Sequence, residues 1–350
     1  MIARLRENGI DSLLVTRPEN IYYLTSFAAE NIYLVISEKC NFAVTDFIYG
    51  EAAAKNLKGL GIEVLLSEKG SPVGEILRSR LRRHRIGSIG VEARHLDSAR
   101  FFLLKKYLKG KGLVRTEDIV ESLREIKDAG EIIALKKAVK VTRDVFRTLK
   151  GSLRPDSSEA GVAGLAKEGF IKNGADGPSF EPIIAGQPCA SQPHYIPKRV
   201  RLGDNKLILA DIGCKLSYYN SDLTRMCPLG KISSKFAKLY SVILDAQRHA
   251  IERVKPGAKI SDIDAAARQH IDSKGLGRFF GHNTGHGIGL EVHEPPVISG
   301  YNKNALKEDM VFTIEPGIYI PGYGGLRIED MIRVTRQGYE ILTNDIDKSI

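Results

Sequence analysis

The chain has 350 residues, 43% hydrophobic and 27% charged, with a formal net charge of +10 from 52 Lys+Arg against 42 Asp+Glu. That length predicts about two domains, and the composition is that of an ordinary globular protein, with no apolar run near the roughly 18 residues of a membrane span. Cys40, Cys189, Cys214 and Cys227 lie scattered without CxxC spacing, which argues against a disulfide framework and a thiolate zinc site and leads us to expect a reducing cytoplasm.

Along the chain, Met1–Asn8 carries no apolar stretch or small-residue cleavage site, so no secretory leader is expected. The first 120 or so residues then alternate short β-branched runs with amphipathic segments. Strands are predicted at Ser12–Val15, Ile32–Ser37, Asn41–Thr45, Glu63–Leu66 and Ser88–Val91, and helices at Gly50–Leu57, Val73–Arg83 and Ser98–Leu108. This is an α/β domain, 1–121, with His84 and His95 isolated in it. Its basic run Arg78–Arg85 has no interleaved aromatic to stack bases, so we read it as a solvated helix face and expect no nucleic-acid partner.

A second domain, 122–350, opens with a long helix over Lys127–Lys150, its apolar positions falling at Ile132, Leu135, Val139 and Phe146. A second helix, capped by Asp156 or Ser157, runs to Ile171, and strands follow at Ser179–Ile184, Leu207–Gly213 and Ser217–Arg225. The plan then recurs: a helix over Lys235–Arg253, another after Lys255-Pro-Gly, and strands at Met310–Glu315 and Leu326–Val334. Pro155 and Pro256 are 101 positions apart, Asp211 and Glu315 104, Asp222 and Glu329 107. Such near-constant offsets point to an internal duplication with one carboxylate pair in each half, the pairs meeting at a pseudo-twofold axis. His249 and His270 fall outside any motif and are read as helix-surface residues.

Four carboxylates and one imidazole, Asp211, Asp222, His286, Glu315 and Glu329, form a hard, oxygen-rich set suited to two divalent ions. Two ions about 3.5–4 Å apart can activate a water and polarise a scissile carbonyl, so the set predicts metal-assisted hydrolysis. Alternation places Asp211 on the apolar face of its strand with Leu207 and Leu209, where an unpaired carboxylate is costly. Thr224, Thr313 and Asn220 are placed to orient the carboxylates by hydrogen bonding. Singly, each ligand has an ordinary reading as a turn, cap or strand-end residue. Five together, in duplicated contexts, do not.

The strings A-D-I-G (210–213), N-S-D-L-T-R (220–225), G-H-N-T-G-H-G-I-G-L-E-V-H-E (281–294), T-I-E-P-G (313–317) and L-R-I-E-D (326–330) resemble those of the pita-bread metallopeptidases. The resemblance runs from about Ile126 to the C-terminus. The leading domain is similar to the one that creatinase, prolidase and aminopeptidase P carry and methionine aminopeptidases generally lack. It implies a creatinase-like α/β N-terminal domain and an α+β pita-bread catalytic domain with a pseudo-twofold duplication. Carried over, Asp211 chelates one ion, His286 and Glu315 hold the other, and Asp222 and Glu329 bridge them, with Glu315 also taking a proton from the bridging water. His194 in Q-P-H-Y and His293 in E-V-H-E bond the substrate carbonyl or move protons, and Arg327 steadies the substrate or a ligand. Phe180 in P-S-F-E-P and Tyr319 line the substrate pocket. Asn283, where relatives often have Gly or Arg, and Met226-Cys227 depart from the pattern without removing a ligand.

The implied activity is cleavage of the bond before proline in a small peptide by a homodimer with two divalent ions per subunit (Mn, Co, Fe or Zn). A compact N-terminal domain and the P-S-F-E-P-I segment favour an Xaa-Pro dipeptidase over an Xaa-Pro aminopeptidase of the aminopeptidase P type. The intact ligand set argues against both a metal-free creatinase and a non-catalytic binding module.

Overall fold

Short β-branched runs bounded by turns, interleaved with amphipathic helices, make a parallel-rich sheet covered by helices. The computed structural model describes residues 1–204 and 206–350, and the chain divides into two units, Met1–Arg124 and Glu125–Ile350. In the first, six strands lie in the order Glu63–Leu66, Phe42–Thr45, Ile32–Ser37, Ser12–Val15, Ser88–Glu92, Gly112–Thr116. Ile32–Ser37 runs antiparallel to both of its neighbours, Ser12–Val15 and Phe42–Thr45, and the other three pairings are parallel. Leu13, Leu14 and Val15 are fully buried, as expected of a central strand covered on both faces.

Several elements depart from expectation. Helices Ile2–Glu7, Pro18–Thr25 and Glu121–Arg124 and strand Gly112–Thr116 were not foreseen. The helix expected from Gly50 starts at Phe47, because Asp46 caps it by accepting from the Ile48 and Tyr49 amides (3.0 and 3.3 Å). Phe47 and Ile48 are 88% and 78% exposed, so the first turn carries no buried stripe for periodicity to detect. The unit ends after Arg124 rather than residue 121, since the short helix Glu121–Arg124 is tied to Asn20. Asn20 Nδ2 donates to Glu121 Oε1 and Arg124 Nη1 donates to Asn20 Oδ1, both at 2.8 Å. The basic run lies on helix Val73–Arg83, where Leu77 and Leu81 face inward and Arg78, Arg82 and Arg83 face solvent.

The second unit carries two helix pairs, Ala129–Ser152 with Glu159–Lys172 and Ser234–Ile251 with Ile260–Ser273. The first helix opens on a capping box: the Glu131 amide donates to Asp128 Oδ1 (2.8 Å) and the Asp128 amide to Glu131 Oε2 (2.9 Å). The second is capped by Ser158, one residue past the expected position, whose hydroxyl accepts from the Gly161 amide. His249 and His270 do not stand free on the surface; their rings meet edge to face at 4.7 Å between the helices of the second pair.

Two of the expected long strands are interrupted beside a candidate ligand, whereas Leu207–Gly213 and Met310–Glu315 are found as the continuous strands Lys206–Ile212 and Val311–Ile314. Ser217–Arg225 resolves into Tyr219–Asn220 and Leu223–Leu229, and Leu326–Val334 into Gly324–Arg327 and Asp330–Thr335. Asp222 and Glu329 sit in the breaks. Ser179–Ile184 likewise shrinks to Ile183–Ala185, leaving Phe180 on irregular backbone. Among the described residues this unit has four sheets: three strands around Lys206–Ile212, five around Val311–Ile314, three around Cys214–Leu216 that take in Tyr219–Asn220, and the pair Gly317–Ile320 with Gly324–Arg327. Among the described residues, no helix is long and apolar enough to cross a membrane.

Candidate metal centre

Two glycines let the ligand-bearing backbones approach. A Cβ on Gly213 would lie 2.0 Å from the Ser221 carbonyl oxygen, and one on Gly285 would lie 1.9 Å from that of Thr313. Neither backbone can yield, so A-D-I-G and T-G-H need glycine there. The first approach brings Asp222 to the strand of Asp211, which pairs with Leu223–Leu229 so that Asp211 faces Thr224. The second brings His286 to Glu315, whose amide donates to the Thr284 carbonyl (2.8 Å). The Glu329 amide donates to the Thr224 carbonyl (3.2 Å) and so joins the two halves.

Donor atoms of Asp222, His286 and Glu329 all lie within 4.8 Å of one another. His286 Nε2 is 3.2 Å from Glu315 Oε1 and 3.7 Å from Asp222 Oδ2, while Nδ1 faces the Gly287 carbonyl at 3.2 Å. That carbonyl fixes Nδ1 as the protonated nitrogen and leaves Nε2 turned to the carboxylates. Asp211 sits on the Leu207 and Leu209 face as parity required, and is buried.

So much buried acid is unfavourable by itself. Burial, then the charges of Glu329 and Asp211, hold Asp222 well above the ordinary carboxylate range. Burial with Glu315 and Asp211 pushes Glu329 up to about 8, and burial raises Asp211 against the opposing charge of Arg327. Burial would lower His286, but its hydrogen bond to Glu315 and the charges of Glu315 and Glu329 prevail and push it up to about 9. Glu315, which burial would raise, is brought down to about 2 by that same histidine. Asp211 Oδ1, Asp222 Oδ1 and Glu329 Oε1 are buried with no hydrogen-bond partner. Orphaned acceptors are rare in folded interiors, and here three belong to carboxylates in one cluster. Divalent cations would satisfy them, and the single imidazole among oxygens suits Mn(II) while admitting Co(II), Fe(II) or Zn(II).

Around this cluster, the Thr224 hydroxyl donates to Glu329 Oε2 (2.9 Å) and the Thr313 hydroxyl to Glu315 Oε1 (3.3 Å). Asn220 does not share that role: its side-chain amide donates to the Gly289 carbonyl at 3.1 Å. Arg327 is buried and committed, with Nη2 on Asp211 Oδ2 (2.5 Å), Nε on the Thr224 hydroxyl (3.1 Å) and Nη1 on the Tyr319 hydroxyl (2.7 Å). Tyr319 also meets His282 Nε2 at 3.2 Å. His282 was not among the residues singled out from sequence; its signal was the first histidine of G-H-N-T-G-H.

The cluster floors a cleft of about 660 Å³, lined by Phe180, Ile183, Val292 and Val297 and by His194, His282 and His293. That volume is ample for a small ligand. The His293 ring packs edge-on against His286 at 4.2 Å, and burial followed by the nearby His286 charge lowers its pKa. His194 is solvent-exposed at the cleft wall.

Comparison with known proteins matches residues 134–336 to the metallopeptidase family M24 and residues 1–126 to the creatinase/prolidase N-terminal domain. The Xaa-Pro dipeptidase of Pyrococcus furiosus is 33% identical over 345 residues, 98% of this chain and 96% of that one. Among solved structures, the Xaa-Pro dipeptidase from Bacillus anthracis superposes with a TM-score of 0.95 at 33% identity, covering 99% of this chain and 98% of its own. The X-Pro aminopeptidase from Thermotoga maritima superposes at 0.90 and 31% identity, covering 99% of each.

Proposed function

The chain belongs to metallopeptidase family M24 and carries the creatinase/prolidase N-terminal domain, and on that premise we propose that it is an Xaa-Pro dipeptidase. It hydrolyses the bond before proline in dipeptides with two divalent ions per chain. One observation carries this reading: four carboxylates and an imidazole converge in a cleft where three buried carboxylate oxygens lack a hydrogen-bond partner. A full-length relative bearing that name supports the substrate class.

Asp211 would hold one ion, His286 and Glu315 the other, and Asp222 and Glu329 both. When bound, the ions supply Lewis-acid polarisation of the scissile carbonyl and activation of a water. The chain's own groups do the rest. Glu315, oriented by the Thr313 hydroxyl, accepts a proton from the attacking water. His293 and His194 hydrogen-bond the substrate carbonyl and pass a proton to the leaving proline nitrogen, which has none of its own. Arg327 keeps Asp211 in place, and Phe180, Tyr319 and the apolar cleft wall receive the ring. Scattered, unpaired cysteines support a cytoplasmic location, and we expect a homodimer acting on small peptides rather than nucleic acid.

Turnover of Gly-Pro-type dipeptides against matched Xaa-Pro tripeptides tests the assignment. Dipeptides should be the better substrates. Equal or faster tripeptide cleavage would replace the dipeptidase with an Xaa-Pro aminopeptidase.

A further inference from the structure

Behind the candidate centre lies a second buried ionic cluster that the reaction does not use. Arg225 follows Thr224 within Leu223–Leu229, and Asp330 follows Glu329 and opens the strand Asp330–Thr335; neither Arg225 nor Asp330 lines the cleft that Glu329 lines. Both are buried, and Arg225 Nη2 meets Asp330 Oδ1 at 2.7 Å. Arg225 Nη1 also donates to the carbonyls of Thr224 (3.1 Å) and Glu329 (2.5 Å), the two residues whose backbones meet at the seam between the halves. Strands Leu223–Leu229 and Asp330–Thr335 belong to different sheets. One guanidinium therefore grips, from the rear, the seam that carries Glu329 on its front.

The C-terminal tail completes this cluster. Arg225 donates to the carbonyls of Ile346 (Nε 3.3 Å, Nη2 3.2 Å) and Thr343 (3.4 Å). The Thr343 hydroxyl donates to Asp330 Oδ1 (2.6 Å). Lys348 Nζ forms an ion pair with Asp330 Oδ2 at 2.5 Å, electrostatic rather than a well-directed hydrogen bond, and donates to Gln247 Oε1 at 3.0 Å. Tyr240 holds the Lys348 carbonyl from the helix Ser234–Ile251 (2.7 Å). A buried ion pair needs such satisfied partners to hold one geometry.

We propose that the tail Thr343–Lys348, acting through the buried Arg225–Asp330 pair, is a positioning element that sets the approach of Glu329 to Asp222 and thereby the affinity for the second metal ion. It rests on the reading that these two carboxylates bridge a pair of ions. Arg225, Asp330 and Lys348 touch no substrate; they act through the backbone of Thr224 and Glu329.

The test titrates Mn(II) into metal-free, full-length protein by calorimetry, with electron paramagnetic resonance reporting coupling between the two ions. Asp330→Asn and Lys348→Met are used, because Arg225 variants threaten folding. Both should bind the second equivalent on the order of 10–100-fold more weakly and show altered coupling. Ile271→Ala, a buried truncation in the helix Ile260–Ser273, should lower the melting temperature yet keep wild-type affinity, which separates positioning from general destabilisation. The inference is overturned if both tail-cluster variants bind the second ion within twofold of wild type, or if Ile271→Ala loses it equally. Wild-type protein that takes up no Mn(II) would overturn the dinuclear reading and this inference with it.

Discussion

Lys127→Met should be among the most damaging single changes outside the ligand set. Lys127 Nζ lies 2.9 Å from Glu294 Oε1, and each side chain is only 1% exposed. Removing the ammonium withdraws the close opposing charge from the buried Glu294 carboxylate, whose other oxygen accepts from the Glu291 amide at 3.4 Å. Breaking a buried pair from one side costs about 3–5 kcal/mol. For a unit of this size, about 2–4 °C per kcal/mol converts that to a melting temperature lower by about 6–20 °C. Glu294 directly follows His293, so turnover should also fall while metal content is retained. Differential scanning calorimetry of Lys127→Met, Glu294→Gln and the double variant reads the cycle. The double should be more stable than Lys127→Met, since it leaves no uncompensated charge. A loss under about 1 kcal/mol in Lys127→Met, or a double variant no better than it, would refute this reasoning.

Glu329→Ala should lose proper metal loading and about 10³-fold in kcat/KM, the equivalent of about 4 kcal/mol of transition-state stabilisation; full metal retention at wild-type rate, by elemental analysis and dipeptide assay, is incompatible with a bridging role. His194→Ala should keep both ions and lower kcat on the order of 10²-fold, so a variant that loses metal instead would remove His194 from the proton path. The metal-free protein should melt higher at pH 6 than at pH 9. Glu329, raised to about 8, and His286, raised to about 9, hold protons in the folded state that the unfolded chain releases, and stability is lost as pH rises through those values. Metal uptake must displace the same protons, so apparent affinity should climb over that window. Melting of chelated samples and calorimetry in buffers of different ionisation enthalpy check both, and affinity that falls with rising pH would contradict them.

The candidate ligand set was legible because a carboxylate on the apolar face of a strand, such as Asp211, has few other uses. Strands buried on both faces, such as Ser12–Val15, were legible from composition alone. The breaks at Asp222 and Glu329 were not, because a few polar residues inside a strand-like run, Asn220–Asp222 and Glu329–Asp330, do not by themselves mark where a ladder stops. Helix Phe47–Leu57 began early because a capping aspartate, not periodicity, sets its start. Nothing in the sequence singles out Arg225, Lys127 or Asp330, since one-dimensional pattern does not reveal which partner lies across the interior. Asn220 shows the limit of parity: the right face, but a carbonyl rather than a carboxylate in reach.

The most direct measurement is metal content per chain alongside hydrolysis of an Xaa-Pro dipeptide, on one preparation before and after chelation and reloading. We expect two ions per chain in the active protein, loss of both ions and activity on chelation, and return of both together. A chain that cleaves the dipeptide at full rate without ions, or that saturates with two ions and leaves Xaa-Pro dipeptides intact, would contradict it.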